Sequence, residues 1–364
     1  MQIRVLSLIL IVVTLLSCKK NGVDPSPVPP ITETTYFPPI SGSEWTSKSP
    51  ASLSWNETAL NDLYTYLQSK STKAFLILKN GRIVSEKYFG TFTVDSNWYW
   101  ASAGKTMTAF LVGIAQNEGL ININNRSSIY LGRGWTSLPT AKEDLITVRN
   151  QLTMTTGLDD NVQPDNDCTD PSCLQYKADA GTRWAYHNAP YTILDKVVEN
   201  ATGTTFNNYF QLKIRNPIGM NGLWIRTGYN NVYYSTPRAM ARFGLLLMNN
   251  GKWDQTTILN DANYFTAQTN TSQNINPSYG YLTWLNGKSN YMLPTTQFLF
   301  NGMLVPNAPA DLYCALGKND QKIYVVPSQK LVVIRMGDSA GLPSLALSSF
   351  DNELWGKLKT VIGF

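Results

Sequence analysis

Two strand-rich regions at opposite ends of the sequence limit the fold more than any other feature. Near the start, the run AFLILKNGRIVSEKYFG places Asn80-Gly81 between two strand-like segments, a pair typical of β-hairpins. Near the end, strand-like runs occupy residues 313–316, 322–326 and 331–336. The sequence between these two regions has mostly helix-like or loop-like patterns. We therefore predict an α+β fold whose antiparallel sheet is built from both chain ends and flanked by helices, with a largely helical inserted subdomain.

Helical periodicity supports this division. Amphipathic helices are predicted near residues 54–70, directly after Ser102, and near the end of the chain at 345–361. Further helices are predicted at 193–201, 206–214 and 238–249. The predicted domain spans residues 45–364, with the α/β part at about 45–118 and 291–364 and the helical part at about 119–290. The active cleft is expected between the two parts.

The first residues have the pattern of an export signal. Arg4 precedes an apolar run that is too short to cross a bilayer comfortably, so residues 1–17 are interpreted as a signal peptide. The run ends in Leu-Leu-Ser-Cys, which resembles the lipobox of bacterial lipoproteins and implies a lipid on Cys18; a plain signal peptide is the alternative. Residues 18–44, rich in proline and serine, are predicted to be a flexible tether. The expected location is the bacterial cell envelope, facing the periplasm or the exterior, with membrane contact only through the lipid.

Composition and cysteine spacing narrow the classes of partner. The net charge of +5 is spread without a basic block, so no nucleic-acid partner is predicted. In an oxidising compartment, Cys168 and Cys173 are a candidate disulfide, whereas Cys314 is expected to be a buried free thiol. No metal site is predicted, since the chain has a single histidine, His187, and no second cysteine pair.

The segment WYWASAGKTMTAF has two interpretations. Gly104-Lys105-Thr106 looks like the end of a phosphate-binding loop, but the loop needs a glycine where Tyr99 stands, so no nucleotide is predicted. The other interpretation pairs Ser102 as nucleophile with Lys105 one helical turn later. The residues alone also allow Ser102 to be a helix cap and Lys105 a solvated first-turn lysine.

Further motifs occur in a recognisable order. Residues 102–105 resemble the first motif of the serine β-lactamase and penicillin-binding-protein superfamily. The segments that resemble its class C-like branch are QLTMTTGL at 151–158, GTRWAYHN at 181–188, NPIGM at 216–220 and ARFGLL at 241–246. The resemblance extends over about residues 75–340, and the chain is identified as a member of this superfamily.

The resemblance implies roles for individual residues. Ser102 would be the acylated nucleophile, with Lys105 assisting its deprotonation. Tyr186 would be the phenol that transfers protons to the leaving group and later activates water. Asn188 would orient Lys105 and the substrate amide. His187, which lies between these two residues, is expected to be structural or to line the rim. No cofactor is implied.

The third motif departs from the family pattern. The matching segment is Ala315-Leu316-Gly317, where the family usually has a lysine or histidine that holds the substrate carboxylate. The backbone amides of Ser102 and Lys318 would form the oxyanion hole, and Gly317 would let the backbone approach the substrate. The substitution at Ala315 resembles the esterase and 6-aminohexanoate-dimer hydrolase members.

We therefore predict an exported serine hydrolase that cleaves a small ester, amide or peptide in preference to a β-lactam. The alternative is a catalytically slow penicillin-binding or peptidoglycan-binding protein of the same fold. The aromatic run at 98–100 either lines the cleft or packs in the core.

Overall fold

The computed structural model describes residues 33–162, 167–343 and 347–364. The predicted signal peptide, the lipid attachment at Cys18 and the first part of the tether lie outside these ranges. The strands are β1 (Thr72–Lys79), β2 (Arg82–Tyr88), β3 (Trp98–Tyr99), β4 (Leu223–Thr227), β5 (Asn230–Ser235), β6 (Lys252–Trp253), β7 (Thr256–Thr257), β8 (Trp284–Leu285), β9 (Asn290–Met292), β10 (Leu299–Asn301), β11 (Tyr313–Gly317), β12 (Gln321–Val326) and β13 (Leu331–Gly337).

Helices surround these strands. They are α1 (Glu57–Ser69), α2 (Gly104–Asn117), α3 (Ser128–Leu131), α4 (Thr140–Glu143), α5 (Val148–Leu152), α6 (Asn188–Thr192), α7 (Leu194–Thr202), α8 (Phe206–Phe210), α9 (Pro237–Met248), α10 (Ala262–Gln268) and α11 (Ser349–Ile362). A π-helical turn at Gln211–Arg215 follows α8, and 3-10 turns occur at Ala51–Leu53, Ala101–Ala103, Pro171–Cys173, Lys318–Asp320 and Pro327–Gln329.

The main sheet confirms the predicted use of both chain ends. Its strand order is β2-β1-β13-β12-β11-β8, and every pairing is antiparallel. Asn80 and Gly81 have φ values of 51° and 80°, as a two-residue hairpin turn between right-twisted strands requires. The middle strands are buried on both faces, so they consist of nearly unbroken apolar runs instead of alternating ones.

Helices cover the two faces of this sheet. On one face α1 packs with α11, whose N-terminus carries a capping box between Ser348 and Asp351. On the other face α9 lies against β12 and β13. A Cβ added at Gly244 in α9 would come within 2.5 Å of Val332, so the glycine permits this close packing.

Two parts of the predicted division need correction. The central segment holds the predicted helices but also strands: its β4 and β5 form a three-stranded sheet with β3 of the preceding part, and its β8 belongs to the main sheet. The folded unit begins at Thr35 and so includes the end of the predicted tether. Backbone contacts explain this, because Tyr36 donates a hydrogen bond to the carbonyl of Asn80 and Arg242 donates one to that of Pro39.

Neither a membrane span nor a metal cluster occurs in the part of the chain that the structure describes. No helix there has the length and apolar character that a bilayer crossing needs. No group of three or more histidine, cysteine, aspartate or glutamate side chains is arranged to hold a metal ion within the same ranges.

Candidate active site

The turn that carries Ser102 is fixed by the residues around it. Trp100 is fully buried, and its indole donates a 2.8 Å hydrogen bond to the Ser235 hydroxyl. Ala101 then adopts a left-handed conformation with φ of 46°, which turns the chain into the 3-10 turn before α2. Nearly all residues of α2 are buried, so the surrounding protein holds this helix in place. The half-buried Ser102 lies at its N-terminus.

Lys105 is buried beside Ser102. Its side-chain Nζ donates a 3.0 Å hydrogen bond to Ser102 Oγ and lies 4.1 Å from the centroid of the Tyr191 ring and 5.3 Å from that of Tyr186. Burial lowers the pKa of Lys105 to about 7, and the nearby carboxylate of Asp167 opposes this shift. A large fraction of Lys105 is therefore neutral near neutral pH.

Tyr186 completes the group around Ser102. Its ring stacks on Trp284 at a centroid distance of 5.7 Å, and the backbone N–H of Ala185 donates to the carbonyl of Met154. The segment 151–158 thus holds the chain next to Tyr186 in place. Burial raises the pKa of the Tyr186 phenol, and a hydrogen bond with Ser102 partly offsets the rise. The phenol is therefore protonated at neutral pH.

Asn188 lies at the start of α6 and contacts a residue that the sequence analysis missed. Its Nδ2 donates a 2.7 Å hydrogen bond to one carboxylate oxygen of Asp167, and Asn230 Nδ2 donates one of the same length to the other. A carboxylate can only accept, so the Asn188 amide must turn its nitrogen toward Asp167. Asn188 Oδ1 is buried and has no hydrogen-bond partner among the described residues. The predicted contact between Asn188 and Lys105 is not among the hydrogen bonds of the described chain.

The end of β11 closes the site from the opposite side. A Cβ added at Gly317 would lie 2.3 Å from the carbonyl oxygen of Trp100 and 3.0 Å from the amide nitrogen of Ala103, so only glycine fits beside the nucleophile turn. Ala315 is on the same face of the strand as Gly317 and is fully packed. Lys318 is exposed and lines the cleft, in contrast to Ala315.

These residues surround a cleft of about 480 Å³. It is lined by Ala101, Ser102, Lys105, Asp167, Tyr186, Asn188, Tyr191, Thr227, Asn230, Asn231, Val232, Pro294, Thr295 and Lys318. The volume suits a small molecule or a short stretch of peptide. The acidic side chain of the cleft, Asp167, directly precedes Cys168 in sequence, which was the one local signal that the loop has a fixed conformation.

The remaining candidates lie outside the cleft. Cys168 and Cys173 are joined in a disulfide with a Cα–Cα distance of 5.9 Å, and Cys314 is a buried free thiol. His187 is buried just before α6. Trp100 packs in the core against Tyr233, with ring centroids 5.0 Å apart.

Comparisons with known proteins agree with this geometry. The family model described as Beta-lactamase matches residues 68–348. A curated relative, "Putative penicillin-binding protein PbpX" of Bacillus subtilis (strain 168), is 24% identical over 176 residues, which are 44% of this chain and 42% of that protein. The chain therefore matches less than half of the length of this relative.

Solved structures share the fold. A "putative beta-lactamase" from Bacteroides dorei superimposes with a TM-score of 0.67 at 17% identity, covering 85% of this chain and all of that one. A "Putative 6-aminohexanoate-dimer hydrolase" from Bacillus anthracis gives 0.65 at 18% identity, covering 89% of this chain and 87% of that chain. The family match, which extends over most of the chain, shows that this protein belongs to the beta-lactamase family.

Proposed function

We propose that this protein hydrolyses a small ester, amide or peptide through an acyl-enzyme on Ser102. The observation that carries the proposal is the 3.0 Å contact between Ser102 Oγ and the buried amine of Lys105, whose pKa is lowered to about 7. A neutral amine at this distance accepts the hydroxyl proton as Ser102 Oγ attacks the substrate carbonyl. Among the family's two candidates for the acylation base, Lys105 has the more suitable pKa, since that of Tyr186 is raised.

The remaining steps use groups beside the same bond. The backbone amides of Ser102 and Lys318 stabilise the oxyanion, which the close approach of Gly317 to the nucleophile turn supports. Tyr186 donates its proton to the leaving group and recovers one from protonated Lys105. Water then attacks the acyl carbonyl and loses a proton to Tyr186 and Lys105. The bond between the acyl group and Ser102 Oγ breaks, and the same pair returns the proton to Oγ. Asn188 orients the substrate through its Oδ1.

Two features favour an ester or amide over a β-lactam. Ala315 provides no charge where the family usually holds the substrate carboxylate, and the opposite wall carries the carboxylate of Asp167. Both changes weaken the binding of an anionic substrate. The slow penicillin-binding alternative would need the substrate carboxylate to be held at the position where Ala315 provides no charge.

Active-site labelling tests the proposal. A fluorophosphonate probe should label the wild-type protein covalently, and Ser102→Ala should lose the label while retaining its fold. A well-folded wild type that no acylating probe labels would refute the hydrolase proposal. Turnover of a short-chain nitrophenyl ester should exceed that of the chromogenic cephalosporin nitrocefin, and the reverse order would refute the exclusion of β-lactams.

We further propose that the protein is exported and anchored in the bacterial cell envelope through a lipid on Cys18, on the basis of the apolar run followed by Leu-Leu-Ser-Cys. The Cys18→Ala variant should then move from the membrane fraction to the soluble fraction. Unchanged fractionation of this variant would contradict the anchor.

A further inference from the structure

The wall of the cleft formed by Asp167 and Asn188 offers hydrogen-bond acceptors to the substrate. Each Asp167 carboxylate oxygen already receives one 2.7 Å hydrogen bond from a side-chain amide, and the residue still lines the cleft. A carboxylate oxygen has room for a second donor. The two amides therefore fix the position of the carboxylate at the wall of the cleft.

Asn188 provides an independent observation. Because its Nδ2 is committed to Asp167, its Oδ1 points elsewhere, and this oxygen is buried without a partner among the described residues. A buried acceptor without a donor costs free energy, and a donor on the substrate would remove that cost. A protonated amine suits both groups, because it carries three N–H donors and a positive charge opposite to that of the carboxylate.

The fold holds this wall rigidly. The disulfide between Cys168 and Cys173 closes the loop directly after Asp167, and Tyr229 in the β4–β5 turn donates a 2.9 Å hydrogen bond to Asp170 of the same loop. Asn230, in that β-hairpin, then reaches Asp167 itself. A rigid carboxylate binds a cation better than a mobile one, since less side-chain freedom is lost.

We propose that Asp167 and Asn188 Oδ1 form a subsite for a primary ammonium group of the substrate. The inference rests on the proposed hydrolase function and names the substrate class within it: esters or amides that carry a protonated amine. The other charged groups of the cleft are compatible with it. Lys105 is buried against Ser102, and the exposed Lys318 lies at the end of β11, beside the proposed oxyanion hole.

Protection against fluorophosphonate labelling of Ser102 tests the subsite without requiring turnover. One ligand series is the ω-aminoalkanamides, compared with n-alkanamides of equal length; the other is the N-(ω-aminoalkyl)acetamides, compared with N-alkylacetamides. The two series place the ammonium on either side of the amide. In at least one series, the ammonium ligand should protect at a concentration at least about tenfold below that of its uncharged isostere. The preference should weaken as salt is added.

Variants assign the preference to its source. Asp167→Asn should reduce it to less than about threefold. Asp170→Asn removes the same charge from the same loop outside the cleft lining, keeps a side-chain oxygen that can accept from Tyr229, and should preserve the preference. Equal protection by charged and uncharged ligands in the wild type would overturn the proposal, and so would a preference that survives in Asp167→Asn. These outcomes differ from failure of the hydrolase function, in which the probe would not label the wild-type protein at all.

Discussion

Lys105 has the most unusual environment of any residue in the site. A lysine normally keeps its charge in water, but here burial against Tyr191 and α2 disfavours the ammonium, and Asp167 provides the opposing attraction. The balance leaves the amine ready to accept a proton near neutral pH, which a serine nucleophile needs. Two predictions follow from this balance, one on the pH dependence of activity and one on stability.

The rate of Ser102 acylation should fall on the acidic side with an apparent pKa near 7, because only neutral Lys105 accepts the hydroxyl proton. Asp167 raises the pKa of Lys105, so its replacement in Asp167→Asn should move this acidic limb to lower pH. The pH profile of phosphonate labelling measures the shift. Asp170→Asn is the matched control and should leave the limb in place; a limb that moves upward in Asp167→Asn would contradict the assignment.

The Lys105→Met variant should lose labelling and gain stability. The folded state lowers the pKa of Lys105 from 10.5 to about 7, so between these values the unfolded chain binds the extra proton and the wild type becomes more stable as pH rises. The gain in the variant should therefore be largest below pH 7, about 1–4 kcal/mol, and should shrink toward pH 10.5. Chemical unfolding at several pH values measures it. The exposed Lys318→Met should show no such gain, and a variant that is destabilised at all pH values would refute the cost assigned to burial.

At the scale of elements, the site depends on how closely β11 approaches the turn before α2. Gly317 is extended, so no unusual backbone angle demands glycine there. The close contact with the carbonyl of Trp100 demands it instead. The third motif of the family thus keeps its glycine for steric reasons, although its charged member has become Ala315.

The Gly317→Ala variant should separate β11 from the nucleophile turn. A Cβ 2.3 Å from a backbone oxygen forces one element to move, and overpacking of this kind costs about 1–3 kcal/mol. Labelling of Ser102 should fall by more than the loss of stability explains, since the proposed oxyanion hole spans the same contact. Gly356→Ala is the control: the atom nearest to its new Cβ would be the side-chain nitrogen of Asn307, at 3.1 Å, and not a backbone atom. Full labelling of Gly317→Ala would show that the approach is not needed.

Local sequence patterns predicted the elements better than they predicted the site. The Asn80-Gly81 turn depends only on neighbouring residues, so the local sequence is enough to predict it. The same holds for Ser102 and Lys105, which are one helical turn apart. Asp167 differs, because its role arises from contact with Asn230, which is 63 positions away. Strand β8 has only two residues and carries no periodicity, which is why its place in the main sheet was missed.

At the scale of the whole molecule, residues 35–44, the N-terminal segment of the folded unit, contact the rest of that unit through their backbone. Its proline-rich sequence has no helical or strand period, and the hydrogen bonds of Tyr36 and Pro39 use backbone atoms that any residue supplies. Arg242 is buried and donates hydrogen bonds to the carbonyls of Pro39 and Ile218, and the ring of Phe37 meets that of Trp253 edge-on at 5.2 Å. The segment therefore completes the surroundings of a buried cation in α9.

A chain that starts at Thr35 should keep the full stability of the domain, whereas one that starts at Trp45 should lose it in part. Removing residues 35–44 leaves the Arg242 guanidinium without its Pro39 acceptor, at a cost of about 1–3 kcal/mol, and exposes Trp253. Denaturant unfolding of the two chains measures the difference. Equal unfolding midpoints would show that residues 35–44 belong to the tether and add nothing to the stability of the domain. Arg242→Met in both chains separates the causes: if the guanidinium carries the effect, the truncation should cost less in the methionine background, because no buried donor is then left without a partner.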